Sequence, residues 1–132
     1  MVSAPDASLI SIVDDDESVR EAITSLLRSA GFKAESFASA EKFLRSPVLE
    51  ETACLILDVR MPGVSGPELQ RRLATESRRI PIIFMTAHGD QGLQAEVMRA
   101  GAVDFLPKPF SEEALLRAVY SGLGSSPGNE GF

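Results

Sequence analysis

Short apolar runs and longer amphipathic stretches alternate along the chain. The apolar runs are rich in Val, Ile, Leu and Phe and are bounded by polar or turn residues, which is typical of strands. Most of them are apolar almost throughout, so we expect strands that are buried on both faces. The predicted strands are Leu9–Asp14, Lys33–Phe37, Ala53–Asp58, Ile80–Thr86 and Ala102–Lys108.

The segments between these runs place apolar residues at helical spacing. Val19, Ile23 and Leu26 recur four and three positions apart, and Gly31 is a typical helix stop. Asp16 is expected to cap the start of this helix. The predicted helices are Glu17–Phe32, Ser39–Ser46, Gly66–Ser77, Leu93–Gly101 and Ser111–Leu123.

Strands that alternate with helices indicate an α/β fold with a parallel sheet covered by helices on both faces. Right-handed crossovers leave few topologies, and we expect the flavodoxin-like, doubly wound sheet with strand order 2-1-3-4-5. The domain should extend over residues 9–123. A disordered lead is predicted for residues 1–8, and a linker or tail rich in Gly, Ser and Pro for residues 124–132.

Composition narrows the class of protein. The chain has 132 residues, 44% of them hydrophobic, which fits one domain with a proper core. A net charge of −6 argues against a nucleic-acid surface. The single cysteine, Cys54, lies in an apolar run and is predicted to fill the core, which favours a reducing, cytoplasmic location. No signal peptide or membrane-spanning stretch is visible.

Polar residues stand where the predicted strands end. Asp14 and Asp15 close the first strand, Asp58 the third, Thr86 the fourth and Lys108 the fifth. Parallel strands end at the same edge of the sheet, and ligands bind there, next to the point where the strand order reverses. We therefore expect these side chains to line one crevice.

Three neighbouring carboxylates repel one another and need compensation. Lys108 supplies one positive charge, and a divalent cation can supply the rest. An all-oxygen site with open positions suits Mg²⁺, which binds through one or two carboxylates and keeps waters. A carboxylate, a metal and a lysine are the parts needed for phosphoryl transfer to the carboxylate.

Four motifs together resemble the receiver domain of two-component response regulators: "VDDDE", "LILDVRMPGVSG", "MTAHG" and "GAVDFLPKPF". The resemblance extends from Leu9 to Leu123, and the last two motifs look most like the FixJ-type branch. It implies the CheY-like fold, with the strand order given above. A receiver is a regulatory phosphoacceptor with limited self-phosphorylation and autodephosphorylation activity, so we do not expect a conventional enzyme.

The resemblance assigns roles to the acidic residues. Asp58 would be the phosphoacceptor. Asp15 and Asp58 would bind Mg²⁺ directly, with the backbone carbonyl of Arg60 as a third ligand and Asp14 assisting through water. Mg²⁺ is the one cofactor that it implies.

It also assigns the residues that sense the phosphoryl group. Thr86 would donate a hydrogen bond to it, and Lys108 would form an ion pair with it. Phe105 would be the rotating aromatic side chain on the output surface. The peptide bond between Lys108 and Pro109 is cis in family members. Arg60 and His88 would flank the path of the attacking water and tune the rate of phosphate loss.

The partners follow from the same resemblance. A sensor histidine kinase would supply the phosphoryl group, and the fourth helix, fifth strand and fifth helix would form the surface of a phosphorylated homodimer. Transcription would be controlled through an output domain that is absent from this chain. No contact with nucleic acid or a membrane is expected from the domain itself. The alternative is a receiver-like interaction module that is never phosphorylated.

Structural interpretations and other families compete with this hypothesis. Asp58 can cap a turn, and Phe105 can be a core aromatic. His88 is a lone loop histidine with no second His or Cys near it in sequence. A haloacid-dehalogenase-like phosphatase needs a second aspartate where Arg60 stands. A flavodoxin relative needs a hydroxyl-rich loop where "DDDE" stands, and no P-loop motif occurs.

Overall fold

The computed structural model describes residues 8–87 and 91–124. Residues 1–7 of the predicted lead, residues 125–132 of the predicted tail and His88 lie outside the described residues. At the start of the described part, the Ser8 carbonyl accepts a hydrogen bond from the Lys33 amide at 3.1 Å.

Five parallel strands form one sheet within the described residues. Their bounds are β1 Leu9–Val13, β2 Lys33–Phe37, β3 Thr52–Asp58, β4 Ile82–Thr86 and β5 Asp104–Pro107. The sheet order is β2-β1-β3-β4-β5, and every neighbouring pair is parallel. The doubly wound fold and its strand order are confirmed.

The α-helices of the same part of the chain are α1 Glu17–Ser29, α2 Ala40–Leu44, α3 Gly66–Thr75, α4 Gln91–Arg99 and α5 Glu112–Gly122. Side chains cap the N-termini of four of them: Asp16, Ser39, Ser65 and Ser111 each accept a bond from a first-turn amide. Within residues 8–87 and 91–124, every helix is too short or too polar to cross a bilayer.

Some boundaries differ from the prediction. β4 begins at Ile82 rather than Ile80, and Pro81 before it has no N–H to offer the sheet. Asp14 and Lys108 directly follow β1 and β5 instead of ending them. A short 3₁₀ helix, Pro47–Glu51, was not predicted, because five residues carry too little periodicity to reveal it.

The core has two layers, one on each face of the sheet. Alternate residues of β3 point to opposite faces: Leu55 and Leu57 pack with α2, α3 and α4, whereas Cys54 and Ile56 pack with α1 and α5. This burial on both faces explains the nearly continuous apolar strands. Cys54 is fully buried, and burial raises the pKa of its thiol to about 12, as expected for a core residue.

Candidate functional site

The carboxyl ends of β1 and β3 bring three carboxylates together in the described part of the chain. Oxygen atoms of Asp14, Asp15 and Asp58 all lie within 4.8 Å of one another. Asp14 is fully buried, Asp58 is 7% exposed, and Asp15 faces solvent. The strands β1 and β3 are neighbours at the point where the strand order reverses, which is why their ends meet.

Lys108 reaches into this cluster from the end of β5. Its Nζ lies 2.9 Å from Asp14 Oδ2 and 3.5 Å from Asp58 Oδ1. The Lys108 amide donates to the Thr86 carbonyl at 2.7 Å, which fixes the start of the loop after β5. The Lys108–Pro109 peptide bond is cis, as the resemblance implied.

The surroundings of Asp58 disfavour its charge. Burial raises the pKa of its carboxyl group, the charge of Asp14 raises it further, and Lys108 only partly offsets these effects, so the pKa rises to about 6. Burial lowers the pKa of Lys108, but its bonds to Asp14 and the charge of Asp58 outweigh this, and the net direction is upward. Lys108 is therefore a permanent cation at neutral pH.

One lysine cannot neutralise three carboxylates, and the donor set fits a hard divalent cation. Each carboxylate can offer an oxygen ligand, which is the ligand type that Mg²⁺ prefers. Asp15 is exposed, so the cluster opens to solvent and leaves room for further oxygen ligands. The charge of the cluster and the chemistry of its oxygen ligands therefore both favour a divalent cation.

The loop after Asp58 is held tightly at both ends. The Val59 carbonyl accepts from the Gly66 amide at 3.0 Å, which closes the loop onto the start of α3. A Cβ atom on Gly66 would lie 2.4 Å from the Asp58 carbonyl oxygen, so only glycine fits there. In the middle of the loop, Glu41 Oε2 accepts from the Val64 amide at 3.4 Å.

The other predicted site residues occupy this end of the sheet as well. Arg60 is exposed on the loop directly after Val59, and Thr86 is buried at the end of β4, next to β3. Phe105 is buried on β5, with its ring centroid 6.5 Å from that of Phe84. Its side chain therefore packs inward in this structure.

One contact of the site escaped the sequence analysis. Arg20 Nη1 on α1 donates to the backbone carbonyl of Asp14 at 2.7 Å. An arginine on the polar side of an amphipathic helix carries no local signal that distinguishes it from a solvated charge. Only the way that α1 packs beside the end of β1 reveals the contact.

Comparison with protein families gives one match over most of the chain. Residues 10–120 match the model described as the response regulator receiver domain. Response regulator protein TodT of Pseudomonas putida is 49% identical over 121 residues, which cover 92% of this chain and 53% of TodT. Transcriptional regulatory protein FixJ of Azorhizobium caulinodans is 42% identical over 122 residues, which cover 92% of this chain and 58% of FixJ. The chain thus spans about half the length of these curated relatives.

Solved structures agree with these sequence matches. The response regulator StyR, solved at low resolution, is 52% identical with a TM-score of 0.83, over 89% of this chain and 60% of StyR. The crystal structure of FixJ-N is 38% identical with a TM-score of 0.80, over 89% of this chain and 94% of that chain.

Proposed function

The chain belongs to the response regulator receiver domain family, in its FixJ-like branch, and on that premise we propose that Asp58 accepts a phosphoryl group from a sensor histidine kinase. The observation that carries the proposal is the cluster of Asp14, Asp15 and Asp58 with Lys108 at the carboxyl ends of β1, β3 and β5. Receiver domains are regulatory, not conventional enzymes, and the proposed activity is limited to gaining and losing this group.

The transfer is a displacement at phosphorus. A carboxylate oxygen of Asp58 forms the new bond, and the bond to the kinase histidine breaks, with the electron pair left on the histidine nitrogen. Asp15, Asp58 and the backbone carbonyl of Arg60 would hold Mg²⁺, with Asp14 assisting. When bound, the ion neutralises charge on the reacting oxygens. Burial and, after it, the charge of Asp14 raise the pKa of Asp58, and a bound cation would favour the charged form of this carboxylate.

Thr86 and Lys108 are proposed to read the phosphoryl group. Lys108 Nζ already lies 3.5 Å from Asp58 Oδ1, so a phosphoryl group on that carboxylate would draw it away from Asp14. The Thr86 hydroxyl would donate to the same group. A shift of Thr86 would change the space beside Phe105, which couples the site to the surface of α4, β5 and α5.

A labelling experiment tests the phosphoacceptor. Incubation with acetyl phosphate and Mg²⁺ should add one phosphoryl group by intact-mass spectrometry, and none in Asp58→Asn. Asp104→Asn serves as the control, because Asp104 stands at the start of β5, away from the cluster. Equal labelling of Asp58→Asn and wild type would refute the assignment. Absence of any labelling would favour the alternative, an interaction module that is never phosphorylated.

The metal assignment has its own test. Beryllofluoride imitates a phosphoryl group, so it should bind only when Mg²⁺ is present. Asp15→Asn should weaken Mg²⁺ binding by well over 10-fold, because changes in the outer partners of metal sites already cost about 10–100-fold. Unchanged Mg²⁺ titration in Asp15→Asn would contradict its role as a ligand.

Arg60 and His88 are proposed to tune phosphate loss. Both are two positions beyond a site residue, and both side chains are bulky hydrogen-bond donors that can shield the acyl phosphate or orient water. Arg60→Ala or His88→Ala should change the half-life of phosphorylated protein at least a few-fold while Mg²⁺ binding persists. Unchanged decay in both variants would remove this role.

Self-association is the proposed output. Met98 on α4 is a large hydrophobic side chain that is 37% exposed. Ala95 and Arg99 are exposed on the same helix. A symmetric pair can bury Ala95 and Met98 while Arg99 meets an acid of the partner. Analytical ultracentrifugation should show more dimer with beryllofluoride, weakened by Arg99→Glu but not by Arg28→Glu on α1. A strictly monomeric activated domain would disprove the dimer.

We propose that the protein controls transcription through a further domain. The curated relatives are about twice as long as the matched region, and FixJ is named as a transcriptional regulatory protein. We propose that residues 9–123 act as the receiver, that residues 124–132 lead towards such a domain, and that the protein acts in the cytoplasm.

A further inference from the structure

Arg20 makes a short, charge-assisted contact with the backbone beside the acidic cluster. Its Nη1 lies 2.7 Å from the carbonyl oxygen of Asp14, six residues earlier in the chain. That carbonyl belongs to the peptide group between Asp14 and Asp15. Hydrogen bonds from a charged donor are shorter and roughly twice as strong as those between neutral groups, so this one restrains the peptide group.

The two acids on either side of this peptide are held very differently. The Asp14 side chain accepts from Lys108 Nζ at 2.9 Å and from the Asp16 amide at 2.8 Å. Within the described part of the chain, the Asp15 side chain makes no hydrogen bond or ion pair. Asp15 is nevertheless close enough to Asp14 and Asp58 to share a cation with them. Its placement therefore depends on the backbone from which it projects.

We propose that Arg20 is a positioning residue for the metal site, because it locks the peptide that aims the Asp15 carboxylate at the cluster. The inference rests on the proposed function, since it concerns the binding of Mg²⁺ by Asp15. It adds a residue of α1 to a site otherwise built from the ends of strands and the loops that follow them.

Arg20 has two opposite effects on the affinity for Mg²⁺, which makes the inference testable. Its positive charge repels a bound cation, so loss of the charge alone would tighten Mg²⁺ binding. Its hydrogen bond positions Asp15, so loss of the bond would weaken Mg²⁺ binding. We expect the positioning effect to dominate, because no side-chain bond within the described residues holds the Asp15 carboxylate, and the Arg20 bond is the one made directly to the peptide group from which Asp15 projects.

The experiment compares Arg20→Met, Arg20→Lys and a matched control, Arg28→Met. Arg28 lies on the same helix, and its Nη2 donates at 2.8 Å to the carbonyl of Ala34 on the edge strand β2, a bond of the same kind away from the site. Backbone-amide NMR titration with MgCl₂ gives the Mg²⁺ affinity of the folded protein. In metal-free samples, the Asp15 amide resonance reports directly on the bond, because that N–H belongs to the same peptide group.

Arg20→Met should move the Asp15 amide resonance and weaken Mg²⁺ binding about 10-fold, within the range known for outer partners of metal sites. Arg20→Lys should recover part of the affinity, and Arg28→Met should bind like wild type. Tighter or unchanged binding by Arg20→Met would overturn the inference, as would an equal loss in Arg28→Met, which would show a general loss of stability. If wild type itself binds no Mg²⁺, the proposed function fails instead.

Discussion

At the scale of the residue, the charge on Asp58 works against folding when no metal is bound. Its pKa is about 6 in the folded protein against an ordinary value of 3.8, chiefly because of burial and Asp14. A raised carboxyl pKa contributes stability below about pH 4, and this contribution is lost as pH rises through 6. In EDTA, Asp58→Asn should therefore raise the free energy of unfolding at pH 8 by about 1–2 kcal/mol, allowing for solvent screening.

Urea unfolding of both proteins between pH 5 and 8 checks this prediction. The stability difference should grow with pH over that range and shrink when Mg²⁺ is added, because the ion stabilises wild type more than the variant. A difference that does not change with pH would show that the charge of Asp58 is not the cause.

Gly66 is a second position where a single added atom should change the stability of the fold. An added Cβ would meet the Asp58 carbonyl oxygen at 2.4 Å and Phe84 Cε1 at 3.0 Å, and the backbone oxygen cannot move without disturbing the site. Gly66→Ala should lower the free energy of unfolding by at least about 2 kcal/mol, since such overpacking outweighs the helix propensity of alanine. Thermal unfolding of both variants tests this. Gly122→Ala should cost clearly less, because its tightest contact would be with the Cys54 Sγ atom at 3.1 Å and its other contacts, with Pro81 and Val103, are at ordinary distances.

At the scale of the element, α4 has the fewest buried residues among the α-helices of the described part of the chain. Val97 is its one buried residue, and Gln70 on α3 donates from Nε2 to the Val97 carbonyl at 3.1 Å. Because Gln70 is itself buried, this bond is a strong tether of α4 to its neighbour. Gln70→Ala should speed amide exchange across α4, the helix proposed to mediate self-association.

Hydrogen-exchange mass spectrometry of α4 peptides tests that prediction. Arg71→Ala is the matched control on α3, because it removes only an exposed ion pair to Glu96 at 3.9 Å, a kind of contact that contributes little. Equal exchange in wild type and Gln70→Ala would show that the Gln70 bond does not hold the helix.

At the scale of the whole molecule, Mg²⁺ should stabilise the fold by mass action. A ligand that binds only the folded chain adds RT ln(1 + [L]/Kd), about 1.4 kcal/mol at ten times Kd. The thermal midpoint should therefore rise with MgCl₂ at constant ionic strength, and much less in Asp15→Asn. A rise of the same size with NaCl alone would instead indicate general screening of the net charge of −6.

Much of the architecture could be predicted from the sequence because it depends on local patterns. Apolar runs and helical spacing located the strands and most helices, and right-handed crossovers limited the order of the sheet. Parallel strands end at one edge, so the cluster of Asp14, Asp15, Asp58 and Lys108 followed from where each run stopped. The short 3₁₀ helix escaped, since five residues leave no periodic signal.

The tertiary structure decided the contacts between side chains that are remote in sequence. Lys108 Nζ lies closer to Asp14, 94 residues away in sequence, than to Asp58. This preference depends on side-chain rotamers and on the register of the strands. The inward packing of Phe105 and the hydrogen bond from Arg20 to the Asp14 carbonyl likewise depend on how neighbouring elements pack. Local patterning by itself placed the acids, Thr86 and Lys108 at the ends of the strands. The packing of whole elements added Arg20 to the site and decided which side chains touch, because those distances depend on all the layers at once.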